Sequence, residues 1–225
     1  IRQLIPSSYY QAKLKKKLST SIDFDLVEKR VAYYNKLSNT SKLTDATQLS
    51  NLKDVPGGKT YYFDLYEYSR FFNQSLKGHF FFGDIIEVPK EPGFVKSRPI
   101  NTMNTNAVLL KWNKLRHFMF IETEKRSFLD KKNKLVSRGK VHKTQVHRIA
   151  FLEAYFGHPM CNIGKVNTNE LNAIWKVNRM TIDEQLEYKF ILCLEGNDVA
   201  SNLKWVMSSK SIAVMSKPRF ETWFM

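Results

Sequence analysis

At 225 residues, with 43% hydrophobic and 25% charged residues, the chain has the balance of a folded globular protein; 9 glycines and 7 prolines are too few for a fibrous or linker-rich one. Its two cysteines, Cys161 and Cys193, each sit in an apolar run, which argues against a disulfide-built secreted domain and for a reducing compartment. A formal charge of +15 draws polyanions: nucleic acid, an acidic membrane surface, phosphorylated glycans or nucleotide phosphates.

The chain opens at Ile1 without an initiator Met or the apolar core of a signal peptide, so it is expected to start late. No apolar stretch approaches the roughly 20 residues of a spanning helix. Residues 7–19 and 25–37 read as helices, the second with Leu26, Val27, Val31 and Tyr34 near helical spacing. Lys13, Lys15, Lys16 and Lys17 form a first basic cluster. Asp23 and Asp25 have D-x-D spacing, but at a helix start they read as acids favourable to the dipole, and no metal site is expected. Pro56-Gly57-Gly58 marks a turn. Tyr61–Leu65 and His79–Phe82 look like strands, Phe94-Val95 is extended up to Pro99, and Asn106–Phe118 reads as a helix.

In the second half, Lys134–Ser137 reads as a strand, residues 143–156 as an amphipathic helix and Met160–Ile163 as a strand. Thr181 and Glu184 match a capping box. Tyr188–Leu194 is an apolar strand, Val199–Ser208 a helix, Ser211–Met215 a strand, and Pro218 opens a last helix. This alternation predicts an α/β fold with a parallel layer. Ligand sites in such layers lie at the strand C-terminal ends, here Arg138, Gly139 and residues 196–201.

Each motif on that rim has a functional and a plain reading. Gly196, between a strand and a helix, would free main-chain amides for a phosphate; the alternative is an ordinary turn with Asn197 or Asp198 as N-cap. Arg138 and Arg148 could grip a diphosphate, or be surface arginines, with His142 and His147 beside them. The basic run from Lys125 to Arg148 is either a solvated face or the seat of an anionic partner. Asp84, at the end of an apolar run, could act as a general base on a sugar hydroxyl or simply form a turn. Lys96 and Arg98 could bring positive charge to the same cleft.

The block Glu195-Gly196-Asn197-Asp198-Val199-Ala200-Ser201-Asn202-Leu203-Lys204-Trp205, with Ser208-Ser209-Lys210-Ser211 and Pro218–Met225, resembles the signature of glycosyltransferase family 90. Lys96–Ile100, Asn113–Phe118 and Arg138-Gly139 with His147-Arg148 resemble its bacterial lipopolysaccharide core branch, which is related to capsule-associated proteins and protein O-glucosyltransferases. The likeness runs from about residue 60 to the end. It implies a GT-B fold of two Rossmann-like halves, an acceptor-side domain over 1–125 and a donor-binding domain over 126–225, with the donor in the cleft between them. Relatives continue past Met225, so the second half is expected to be incomplete here.

The resemblance further implies inverting transfer of a hexose from UDP-glucose or UDP-galactose to a lipopolysaccharide core acceptor, without an obligatory metal or cofactor. Asp84 takes the place of the base. Arg138, Gly139, Arg148, Gly196, Asn197, Asp198, Ala200, Ser201 and Lys204 take the place of the donor site, and Lys96, Arg98 and His142 that of further cleft residues. Ser137 stands where relatives often carry an aromatic residue, and Asn202 or Lys204 near a position where the eukaryotic branch has arginine. The implied location is cytoplasmic, peripheral at the anionic inner membrane, with no nucleic-acid partner. Charge and aromatics alone leave two rivals: a basic nucleic-acid-binding protein, and a non-catalytic truncated remnant that binds a membrane or partner enzyme.

Overall fold

The computed structural model describes residues 5–19, 23–40, 42–57, 59–101, 103–117 and 119–225, with the side chains of Lys15, Lys17, Lys59 and Arg116 outside the described set. Part of the first basic cluster, Gly58 of the expected turn and Phe118 therefore lie outside the described residues. The chain divides into two units, Ile1–Leu115 with Arg219–Met225, and Arg116–Pro218.

The first unit begins with helices α1 (Ser7–Leu18) and α2 (Phe24–Tyr34). Asp23 caps α2 by accepting from the Leu26 amide at 3.0 Å, the helix-start role expected of it. The apolar spacing of α2 is helical, yet Leu26, Val27 and Val31 are exposed. Strand β1 (Thr47–Gln48) precedes a 3-10 turn over Leu49–Asp54 and helix α3 (Lys59–Ser69). The strand expected at Tyr61–Leu65 is thus a helix. Burial of Tyr61, Leu65 and Ser69, four residues apart, shows the period that overrode the β preference of its aromatics.

Strand β2 (Lys77–Gly78) pairs antiparallel with β1, and β3 (Gly93–Val95) opens the next layer. The strand expected at His79–Phe82 contributes a single parallel bridge, Phe80 to Phe94. Strand β4 (Ser97–Pro99) is followed by β5 (Ala107–Leu109), which lies parallel to β3, and by the short helix α4 (Lys114–His117), where the chain passes from one unit to the other. The single helix expected over Asn106–Phe118 is broken because Ala107 and Leu109 are buried on alternate positions of a strand. Leu52, Tyr61, Leu65, Phe80 and Trp112 form one core cluster; Val95, Ala107 and Leu109 form another.

The second unit is built on strands β6 (Lys132–Gly139), β7 (Cys161–Lys165), β8 (Tyr188–Leu192) and β9 (Ile212–Val214), all parallel, in the order β7-β6-β8-β9. Helices α5 (Val146–Tyr155), α6 (Ile182–Gln185) and α7 (Leu203–Met207) connect them. The sheet buries Val136, Ile163 and Ile191, and Leu152, Trp205 and Val206 of the connecting helices are buried as well. The capping box forms as read, with Thr181 and Glu184 each satisfying the other's main-chain amide. Strand order reverses at β6/β8, the switch point where a parallel sheet leaves a crevice beyond its carboxyl edge.

After the sheet the chain returns to the first unit as strand β10 (Phe220–Thr222), antiparallel to β4. A strand, and not the expected helix, follows Pro218 because Phe220 and Thr222 are buried on alternating positions. This return also differs from the expected domains 1–125 and 126–225, which placed Arg219–Met225 with the sheet; residues 116–125 lie with it instead.

Candidate functional site

The carboxyl edge of the parallel sheet gathers most of the residues singled out in the second unit. Arg138 is the penultimate residue of β6, and its guanidinium donates to the carbonyls of Asn178 (3.0 Å), Ser137 (2.8 Å) and Asn162 (2.8 Å) and to Asn162 Oδ1 (2.7 Å). Arg148, in the first turn of α5, donates to the carbonyls of Lys140 (2.6 Å), Leu194 (2.9 Å) and Glu195 (2.8 Å). It therefore ties the exit of β6 to the exit of β8 at the switch point. His147 adds a contact from Nε2 to the Glu195 carbonyl at 2.8 Å.

Burial pulls both guanidinium groups below their ordinary pKa; for Arg138 the nearby Tyr188 and Glu184 act in the opposite sense. Among the described residues, neither arginine has a carboxylate within ion-pair distance. Each is held by carbonyl dipoles alone, so the rim carries desolvated positive charge that an anion would compensate. Much of the surrounding basic run is already neutralised. Lys131 is buried against Glu124 and Ser211, Lys132 pairs with Glu187, and Lys143 pairs with Glu170.

Gly139 and Gly196 face Arg148 from either side. A Cβ on Gly139 would stand 3.4 Å from its Nη1, and one on Gly196 3.6 Å from its Nη2. Beyond Gly196, Asp198 and Ala200 are buried while Asn197 and Ser201 are exposed. The helix expected from Val199 begins only at Leu203, with Asn202 at its N-cap, so neither Asn197 nor Asp198 caps it. Residues 193–202 form an irregular loop in which buried Val199 and Ala200 take the place of a first helical turn. Among the described residues, the main-chain amides of Gly196, Val199, Ala200 and Ser201 find no acceptor. Amides of this kind suit an anion as well as a helix start does. Lys204, on α7, lies over the Phe120 ring, 4.3 Å from its centre. His142 is exposed, and its amide donates to Gln145 Oε1 at 3.1 Å.

In the first unit, Asp84 follows Gly83, whose φ of 113° turns the chain. Its Oδ1 accepts from Lys96 Nζ at 2.6 Å. The pairing is asymmetric: the Lys96 side chain is 2% exposed and that of Asp84 35%. A buried ammonium thus orients a carboxylate that reaches solvent. Arg98 does not share this role. Fully buried, it donates to Glu221 Oε1 (2.6 Å) and to the carbonyls of Tyr33 (2.6 Å), Tyr34 (3.1 Å) and Ala107 (2.7 Å), locking α2, β5 and β10 together. Its neighbours Lys36 and Asn104 also reach Glu221. This network had no signal in the sequence: apart from Ala107, its members lie 64 to 185 residues from the Arg98 or Glu221 groups they bond, and only folding brings them together.

With this geometry in place, one comparison bears on what the chain does. Over 201 residues the chain is 42% identical to the O-glucosyltransferase LpsA of Dichelobacter nodosus. The match takes in 88% of this chain and 62% of that protein, so the chain spans less than two thirds of the relative's length. No family model matches the chain. The aligned share of this chain is large enough to include parts of both units.

Proposed function

We propose that the chain belongs to a UDP-sugar-dependent glycosyltransferase of GT-B type that transfers a hexose to a lipopolysaccharide core acceptor. The observation that carries this reading is the 42% identity to an O-glucosyltransferase over 88% of the chain. That relative's name favours glucose over galactose as the sugar moved, with UDP-glucose as donor. The second unit is the donor half and the first the acceptor half. Location is at the anionic inner face of the cytoplasmic membrane, where the net charge of +15 favours attachment.

The residues fit the chemistry step by step. Arg138, Arg148 and the amides of Gly196, Val199, Ala200 and Ser201 receive the donor diphosphate, with Gly139 and Gly196 letting it approach the main chain. Asp84 takes the proton from an acceptor hydroxyl as that oxygen bonds to the anomeric carbon on the face opposite the leaving group. The bond from that carbon to the diphosphate oxygen breaks, and the nucleoside diphosphate leaves with the electron pair. Its growing charge meets the two arginines, which need no reorganisation to receive it. Lys96 positions Asp84 throughout.

Calorimetric titration with UDP tests the donor site. Binding that is lost in Arg148→Ala and kept in Asp84→Asn supports it; failure of the unmodified chain to bind UDP contradicts it.

A further inference from the structure

We propose that a cavity in the first unit, walled by residues 44–56 and 77–81, binds a neutral, hydroxyl-rich saccharide. It is an open cleft of about 680 Å³, with Asp45, Asn51, Asp54 and Lys77 of its lining exposed. None of its lining residues is among those assigned above to the donor site.

The lining chemistry selects the ligand. Asp45 and Asp54 offer carboxylate acceptors, Gln48 and Asn51 offer amides that both donate and accept, and Lys77 donates. Sugar hydroxyls do both, so such a mixed ring of partners matches them. Among the described residues, the side chains of Gln48, Asp54 and Lys77 make no hydrogen bond or ion pair, so each is available to a ligand. The apolar part of the wall includes Val55, Pro56, Phe80 and Phe81, a surface for the C–H face of a sugar ring. Phe81 is seated by Gly93: a Cβ there would come within 2.4 Å of its ring.

Charge argues against a phosphate ligand. In a chain of net charge +15, this lining brings two aspartates against one lysine and one histidine. A nucleotide diphosphate would meet carboxylates, whereas an uncharged polyol forfeits nothing. The frame is also well tied. Strands β1 and β2 pair across it, the Thr44 amide donates to Glu91 at 2.9 Å, and His79 Nε2 contacts the Thr44 carbonyl at 2.8 Å.

Asp84 follows Phe81, the last lining residue in the chain, by three residues. Resting on the glycosyltransferase reading, the saccharide is then the acceptor glycan, held by the same unit that carries the base. Binding itself does not depend on that reading, and the test keeps the two apart.

The ¹⁵N-labelled chain is titrated with lactose, maltose and glucose 6-phosphate, and in a separate arm with UDP. The expected result is millimolar-range binding of a neutral disaccharide, on the order of 1 mM, with shifts concentrated at residues 44–56 and 77–81. Asp54→Ala and Asp45→Ala, both exposed, are expected to weaken it about tenfold without unfolding the chain. Glucose 6-phosphate is expected to bind more weakly than either disaccharide. No shift with either disaccharide, tighter binding of the phosphate, or unchanged binding in both variants overturns the proposal. Saccharide binding without UDP binding leaves the cavity assignment standing and removes the transferase reading; UDP binding without saccharide binding does the reverse.

Discussion

The guanidinium of Arg148 donates through Nε to the carbonyl of Glu195 at 2.8 Å, joining helix α5 to the loop that leaves β8. With its bonds to Leu194 and Lys140, this makes Arg148 both a brace of the switch point and a cation poised toward any ligand there. Arg148→Met is expected to lower stability by about 2–4 kcal/mol, since several charge-assisted bonds are lost from a largely buried site. Arg148→Lys cannot reproduce the three-way fork and is expected to recover less than half of that loss. Urea denaturation of the three proteins checks both values.

Gly196, one of the two glycines that face Arg148, separates folding from ligand approach. Gly196→Ala places its new Cβ 3.6 Å from a flexible guanidinium tip, so stability is expected to change by less than about 1 kcal/mol while UDP affinity falls. Gly164→Ala is the contrasting control. Its Cβ would lie 2.6 Å from Val177 and 2.8 Å from the Trp175 carbonyl, and a loss of about 1–3 kcal/mol is expected. Thermal unfolding and nucleotide titration of both variants give the comparison.

How much of this was legible before folding differs between the units. Strand β8 is a short, mostly apolar run, β7 is bounded by turn residues, and Thr181 with Glu184 form a purely local motif, so the α/β order of the second unit could be read directly. In the first unit, strands of two or three residues are too short for any period to show, and Tyr61-Tyr62-Phe63 suggested a strand where burial four residues apart makes a helix. For the site, residue types were legible and partners were not. The carbonyls that hold Arg138 and Arg148 leave no mark in a sequence, and Arg98 looks like a cleft cation until Glu221 is brought to it across the chain.

That Arg98–Glu221 pair has a pH signature. Burial would raise the Glu221 pKa, but hydrogen bonds from Arg98 and Lys36, with their charges, prevail and hold it below its ordinary value of 4.5. A carboxylate lowered in the folded state contributes stability above its unfolded pKa and loses it as pH falls through the folded value. Stability is therefore expected to decline from about pH 4.5 downward, and Glu221→Gln to flatten that part of the profile. At neutral pH the same substitution leaves a buried guanidinium without its charge partner, at a cost of about 3–5 kcal/mol. Chemical denaturation across the acid range measures both effects.

The central claim is tested most directly by following transfer of labelled glucose from UDP-glucose to truncated lipopolysaccharide, with the unmodified chain beside Asp84→Asn. The predicted result is transfer by the first and a loss of about 100-fold or more in the second, with UDP affinity and thermal stability retained. Transfer by Asp84→Asn at the unmodified rate would contradict the role of Asp84, and UDP-glucose neither bound nor consumed by the unmodified chain would contradict the account as a whole.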